Sequence, residues 1–248
     1  MDSKCIPVKT GIIVLGKNSA STGEQKVVAE CCRYIAEHGH RNVYPAFHFG
    51  EPRSDRVLKR MFLDEGIDTF CVLPMAVAEG NLTIWNMPKR IGLPDNSGSW
   101  TMIGNHDVAI RFATALGYSG YLASAIADRL GTPSDDTGVI VFTHGSKLSL
   151  SEKTAGRYAS YLSDCGWKVS CAFSETGPIT LAEAAEKLSS DGCARLIILP
   201  LFLSPGGKSY LEAIKELDAT GKGYILTSPI SEYREFLEIT EHKIPEDW

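Results

Sequence analysis

Short apolar runs alternate along this chain with stretches in which apolar residues recur every three or four positions. Gly11-Ile-Ile-Val-Leu-Gly16 is the first such run, and Gly138-Val-Ile-Val-Phe-Thr143 is its later counterpart. A continuous apolar run closed off by glycine and small polar residues reads as a strand buried on both faces of a parallel sheet. After the first run, Thr22 to about His38 puts Val27, Val28, Cys31 and Ile35 on one helical face, with Thr22 as cap and Gly39 as terminator. The same pattern predicts strands over 42–48, 69–75 and 100–103. It predicts helices from Pro52 to Gly66, from about Gly80 to Arg90 and, interrupted near Gly117 and Gly120, from Val108 to Leu130. Gly131-Thr-Pro-Ser-Asp-Asp-Thr137 has linker composition. Beyond it the spacing predicts strands over 138–143, 168–173, 195–201 and 224–227. The intervening helices run over 151–165, 178–190, 209–217 and 231–241.

The two halves repeat. Gly11 and Gly138, each opening its apolar run, are 127 residues apart. Ala46-Phe47 and Pro52 fall 126 residues before Ala172-Phe173 and Pro178. Val72-Leu-Pro-Met75 and Gly80 stand in the same relation to Ile198-Leu-Pro-Leu201 and Gly206. A nearly constant offset from Gly11 to Gly80 implies two similar α/β lobes, 1–131 and 138–248, doubly wound, with four-stranded parallel sheets and a cleft between them.

In open α/β sheets ligands bind at the carboxyl edge, so the residues just past each strand matter most. In the second half these are His144, Glu175 and the pair Lys208 and Glu212; the equivalent positions of the first half hold Lys17, Phe49, Leu82 and Asn86. One half therefore carries a proton-accepting, metal-capable set and the other has lost it. An imidazole and carboxylates from separate loops suit a divalent metal, proton abstraction, or both. Taken singly, each has a plainer explanation: His144 satisfying a carbonyl, Glu175 capping the helix at Pro178, Lys208 and Glu212 forming a surface ion pair. Their joint placement on successive strand ends favours a site. Ser146, at a helix-entry loop, and His106, expected at a helix start in the first half, are candidate substrate contacts.

The totals mostly exclude. At 248 residues, 44% hydrophobic and 22% charged, the chain is of ordinary globular composition. A net charge of −5 without a basic run argues against nucleic acid as a partner. Seven scattered cysteines without CxxC spacing read as thiols of a reducing compartment. The N-terminal Met-Asp-Ser-Lys-Cys lacks a leader-like apolar core, and no run approaches a membrane span. The expectation is a cytoplasmic protein with no membrane partner, for which a homodimer would be unsurprising. Gly16-Lys17-Asn18-Ser19 lacks the spacing of a phosphate-binding loop.

Val139-Ile-Val-Phe-Thr-His-Gly-Ser146, Ala172-Phe-Ser-Glu-Thr-Gly-Pro178 and Ile198-Leu-Pro-Leu-Phe-Leu-Ser-Pro-Gly-Gly207 resemble, in order and spacing, the class II chelatases. The sirohydrochlorin chelatases of the cobalamin and siroheme routes are the most similar branch, in their bilobal form. The resemblance implies insertion of cobalt, nickel or iron into a sirohydrochlorin-type tetrapyrrole, the metal being a substrate and no cofactor permanently bound. It implies His144, Glu175 and Glu212 as catalytic and metal-ligating residues. It also implies substrate contacts from Lys208, Gly206 and Gly207. Lys208 stands where that family usually has histidine, and an ammonium binds no metal until it loses its proton. Two further readings stay open: a chelatase-like fold turned to other acid/base chemistry on a carboxylate-rich molecule, and a carrier of tetrapyrrole or metal without turnover.

Overall fold

The first sheet is built on β1 (Thr10–Asn18), an apolar run buried along almost its whole length. The computed structural model describes residues 9–246; Cys5 and the N-terminal stretch discussed above lie outside them. From β1 the chain passes through α1 (Thr22–Glu37), β2 (Val43–Phe49), α2 (Ser54–Glu65) and β3 (Thr69–Pro74). Ser21, not Thr22, caps α1 by accepting from the Glu24 N–H. After β3 comes a π-helical turn over Leu82–Asn86 that runs into α3 (Met87–Arg90). Strands β4 (Trp100–Ile103) and β5 (His106–Phe112) complete a sheet of order β2-β1-β3-β5-β4.

Here the structure corrects the sequence expectation. The fourth parallel strand is β5, not 100–103, and β4 is a fifth strand, antiparallel to it at the sheet edge. Ile103 pairs with His106 across Gly104-Asn105, and Gly104 has φ +62°, the positive value a two-residue hairpin turn needs. Residues 108–112 are therefore strand rather than helix, and helix begins only at α4 (Gly120–Leu130).

The second sheet repeats the plan. It comprises β6 (Thr137–Gly145), α5 (Leu150–Asp164), β7 (Lys168–Thr176), α6 (Leu181–Ser190), β8 (Arg195–Pro200), α7 (Lys208–Ala219) and β9 (Tyr224–Leu226), and α8 (Arg234–Glu241) follows. The order is β7-β6-β8-β9, all parallel. Register matches between the sheets. Ile12 lies opposite Val43 and Cys71, and Val139, 127 residues later, lies opposite Val169 and Ile197. Close packing matches too: a Cβ on Gly11 would stand 2.6 Å from the Met61 side chain, and one on Gly138 would stand 2.9 Å from Leu188. These glycines let a helix lie directly on the first strand of each sheet.

The chain forms two compact units whose limits differ from a simple cut at residue 131. One holds the chain up to Ala76, Asn81–Ala115 and the segment from Thr240; the other holds Val77–Gly80 and Leu116–Ile239. Helix α4 thus belongs with the second sheet, where Tyr158 of α5 accepts from the Ser119 N–H that opens it. The Val77–Gly80 loop joins the same unit through a Gly117 N–H bond to the Val77 carbonyl, 2.8 Å.

Candidate functional site

The carboxyl end of β6 sets the geometry. Gly145 has φ +90°, and a Cβ there would fall 1.7 Å from the Thr176 carbonyl oxygen. Only glycine lets the two strand ends lie this close. The β6–β7 register shifts between Thr143 and Gly145, and this irregularity turns His144 toward β7. Its Nε2 lies 3.2 Å from Glu175 Oε2, and its Nδ1 lies 3.2 Å from Ser174 Oγ. The imidazole is thus held from both sides by consecutive residues of one strand. Below it, Phe202 stands edge-on to the His144 ring and belongs to an aromatic cluster with Phe142 and Tyr210.

Both charged partners stay accessible: the side chains of His144 and Glu175 are 46% and 55% exposed. A half-exposed imidazole beside a carboxylate can exchange protons with solvent, accept them from a ligand, or receive a cation through two groups.

Among the other predicted residues, Lys208 opens α7 and pairs with Glu212 one turn on, Nζ to Oε1 3.8 Å. Glu212 is thereby matched to an ammonium, and among the described residues no group of three or more His, Cys, Asp or Glu is placed to hold a metal ion. The expected three-ligand set of His144, Glu175 and Glu212 is not assembled; the first two pair with each other and the third with Lys208. Gly206 takes φ +110°, which the turn into α7 requires. Gly207 has ordinary extended backbone and open space where a Cβ would stand. Ser146 accepts from the Leu148 N–H at 3.2 Å, and its Oγ lies 3.6 Å from the position of a Cβ on Gly80.

His106 is not at a helix start. It begins β5, which runs parallel to β3, so it lies at the amino end of the first sheet and away from that sheet's carboxyl edge. Its ring rests near that of Phe62. Glu175 is not a helix cap either: α6 starts at Leu181, capped by Thr180, which forms a reciprocal capping box with Glu183.

Sequence reasoning missed Ser174. Successive residues of a strand point to opposite faces, so Ser174 and Glu175 are not expected to share a target. They do so here because the imidazole lies across the strand end. The described cysteines are free thiols, and burial pushes Cys31, Cys71 and Cys171 above the ordinary thiol range. They offer no ready thiolate. Among the described residues no helix is long and apolar enough to cross a membrane.

The CbiX family model matches residues 11–132 and 138–247. A sirohydrochlorin cobaltochelatase of Sulfurisphaera tokodaii is 29% identical over 110 residues, 44% of this chain and 92% of that protein. A structure of SirB from Bacillus subtilis with Fe3+ aligns at a TM-score of 0.71 and 17% identity, over 95% of this chain and 94% of that one. A multi-domain protein of Deinococcus radiodurans with structural similarity to chelatases aligns at 0.70 and 16% identity over 94% of this chain, which spans 54% of its length. These likenesses to solved structures concern the fold.

Proposed function

The chain belongs to the CbiX family, and from that premise we propose that it is a tetrapyrrole chelatase inserting a divalent metal ion into a sirohydrochlorin-type macrocycle. The observation that carries the reading is the His144–Glu175 pair, 3.2 Å apart at the carboxyl edge of the second sheet. Insertion replaces two pyrrole N–H protons by one metal dication, so the protein has to take up two protons next to the incoming ion. A neutral imidazole and an ionised carboxylate accept one each. The pair also attracts the cation beforehand, and two half-exposed ligands suit an ion that passes through as substrate rather than one that stays.

Lys208 serves the macrocycle rather than the metal. Sirohydrochlorin-type tetrapyrroles carry several carboxylates, and the Lys208 side chain, 89% exposed, is placed at the first turn of a helix, where an anion also meets unpaired backbone N–H groups. Glu212 offsets its charge when no substrate is present. Gly207 caps that helix and has open space where a Cβ would stand, so its backbone is accessible to a ligand at the same turn. Cobalt, nickel and iron are the candidate ions.

The test is an anaerobic mixture of the purified protein, sirohydrochlorin and Co2+, Ni2+ or Fe2+, followed by absorption. The expected result is insertion faster than the uncatalysed rate, abolished by His144→Ala. A spectral shift on mixing with sirohydrochlorin, without insertion, would instead indicate a carrier.

A further inference from the structure

The unit built on the first sheet contains a cavity of about 250 Å3 between α2, the end of α3 and β4, and it shares no lining residue with the His144 site. We propose that this cavity binds a phosphoryl dianion, as inorganic phosphate or as the phosphate of a small monoester, through Lys59, Lys89, Arg90 and Thr101. The site is independent of the chelatase reading.

The first support is charge. The chain as a whole is acidic, with 30 Asp and Glu against 25 Lys and Arg. Around the cavity that balance is reversed: Lys59, Lys89 and Arg90 line it with a single acid, Asp55. Asp55 is already engaged, since Arg53 donates to both of its oxygens, from Nε at 2.9 Å and from Nη2 at 2.7 Å. Among the described residues none of the three lining cations is in an ion pair. They hold a positive potential over the cavity that no carboxylate of its wall cancels.

The second support is the state of Arg90. Its side chain is half-buried and donates no hydrogen bond to any described residue, and its Nε is buried. A guanidinium drawn part-way out of water without an acceptor is costly, and an anion at its terminal nitrogens offsets that cost. Two guanidinium N–H groups grip two oxygens of one anion. Strand β4 adds a neutral donor. Thr101 is 8% exposed, and its Oγ1 occupies the space that a Cβ on Gly92 would need. The glycine that ends α3 with φ +88° thus leaves room for this hydroxyl.

Shape and size narrow the ligand. Donors arriving from three elements suit oxygens in tetrahedral directions better than the two coplanar oxygens of a carboxylate. The volume is below the roughly 300–1,000 Å3 of pockets that enclose a drug-sized molecule, so an ion or a phosphoryl tip fits and a macrocycle does not.

The experiment is calorimetric titration of the full chain with inorganic phosphate and with glycerol phosphate, slightly above neutral pH and at constant ionic strength. One saturable site per chain is expected. Arg90→Lys, which keeps the charge and loses the fork, should weaken binding about tenfold. Lys59→Gln and Lys89→Gln, both at exposed positions, should each weaken it about threefold, and decide the matter if Arg90→Lys does not fold. Lys215→Gln, at an exposed lysine of α7, should leave binding unchanged. Succinate, a dianion without tetrahedral oxygens, should bind about tenfold more weakly than phosphate. Tighter binding of the ester assigns the site to a phosphorylated small molecule, and the reverse order assigns it to the free ion. Absence of saturable binding, equal losses in Lys89→Gln and Lys215→Gln, or succinate binding as tightly as phosphate overturns the proposal.

Discussion

At the carboxyl end of β1, the backbone N–H groups of Lys17 and Asn18 donate to the carboxylate of Glu24, which reaches back from α1. At the end of β6, the residue 127 positions beyond Glu24 is Ser151, a shorter side chain, and the strand end carries His144 bracketed by Ser174 and Glu175. The residues 126 positions before Ser174 and Glu175 are His48 and Phe49. His48 is buried, its Nδ1 makes no hydrogen bond, and its ring meets Phe49 edge-on. Register, helix packing and helix-terminating glycines agree in both units: Gly39 and Gly166 have φ +95° and +96°. The glycines and apolar positions thus agree between the two units, whereas the polar residues at the strand ends differ in kind. In the first unit the end is closed by its own carboxylate, held above the usual carboxylate range chiefly by burial. In the second it leaves the His144 and Glu175 side chains about half exposed.

That contrast breaks most visibly at His144. Replacing it by alanine removes the proposed proton acceptor at one strand end, and insertion should fall by about a hundredfold or more. Lys17→Ala, the equivalent change in the first unit, should leave insertion within about twofold, because both hydrogen bonds to Glu24 there come from backbone N–H groups and only the electrostatic contribution of the ammonium is lost. Parallel anaerobic rate measurements on the two variants check the pair; equal losses would mean that both strand ends take part. Gly145→Ala comes next. With φ +90° and a carbonyl oxygen where the Cβ must go, it should cost about 2–3 kcal/mol in urea unfolding and displace His144. Its counterpart Asn18→Ala loses only the Oδ1 contact to the Ala20 N–H and should cost about 1 kcal/mol or less.

The parts of this fold set by periodicity were legible in sequence, and those set by tertiary choice were not. Buried strands and their glycine boundaries repeat with a fixed offset, so the first three strands of each sheet and the positions of His144 and Glu175 followed from Gly11, Gly138 and the paired Leu-Pro steps. Val108-Ala-Ile-Arg-Phe112 reads equally as helix or buried strand, and pairing with β3 decides for strand. The sign of the hairpin was present in Gly104-Asn105, and the sign of the α6 start in Thr180-Leu-Ala-Glu183. Ser174 left no sign, because strand alternation points it away from the target of Glu175 and only the irregular end of β6 brings one ring to both. A spacing of four predicts that Lys208 and Glu212 meet, as they do at 3.8 Å, and carries no information on whether either meets His144.

The smallest expected effect separates His48 from Ser174, its counterpart in the second unit. His48 is 5% exposed, and burial, with the nearby Arg90 cation adding to it, holds its imidazole below the ordinary range. The folded chain therefore binds fewer protons here than the unfolded chain, whose histidine titrates near about 6.5. Stability from this position is fully present above that pH. It declines as pH falls below it, and the loss levels off once the pH is below the depressed value of the folded state. Each unit of depression corresponds to about 1.4 kcal/mol. His48→Leu removes both the titration and the unpaired Nδ1, so the urea midpoint of the variant should gain on wild type between pH 7.5 and pH 5. Ser174→Ala should show no such pH-dependent gain, since a hydroxyl does not titrate there. Wild-type and His48→Leu midpoints that fall in parallel over that range would mean that His48 is solvated and charged in the native protein, and the first unit's strand end would then be open rather than closed.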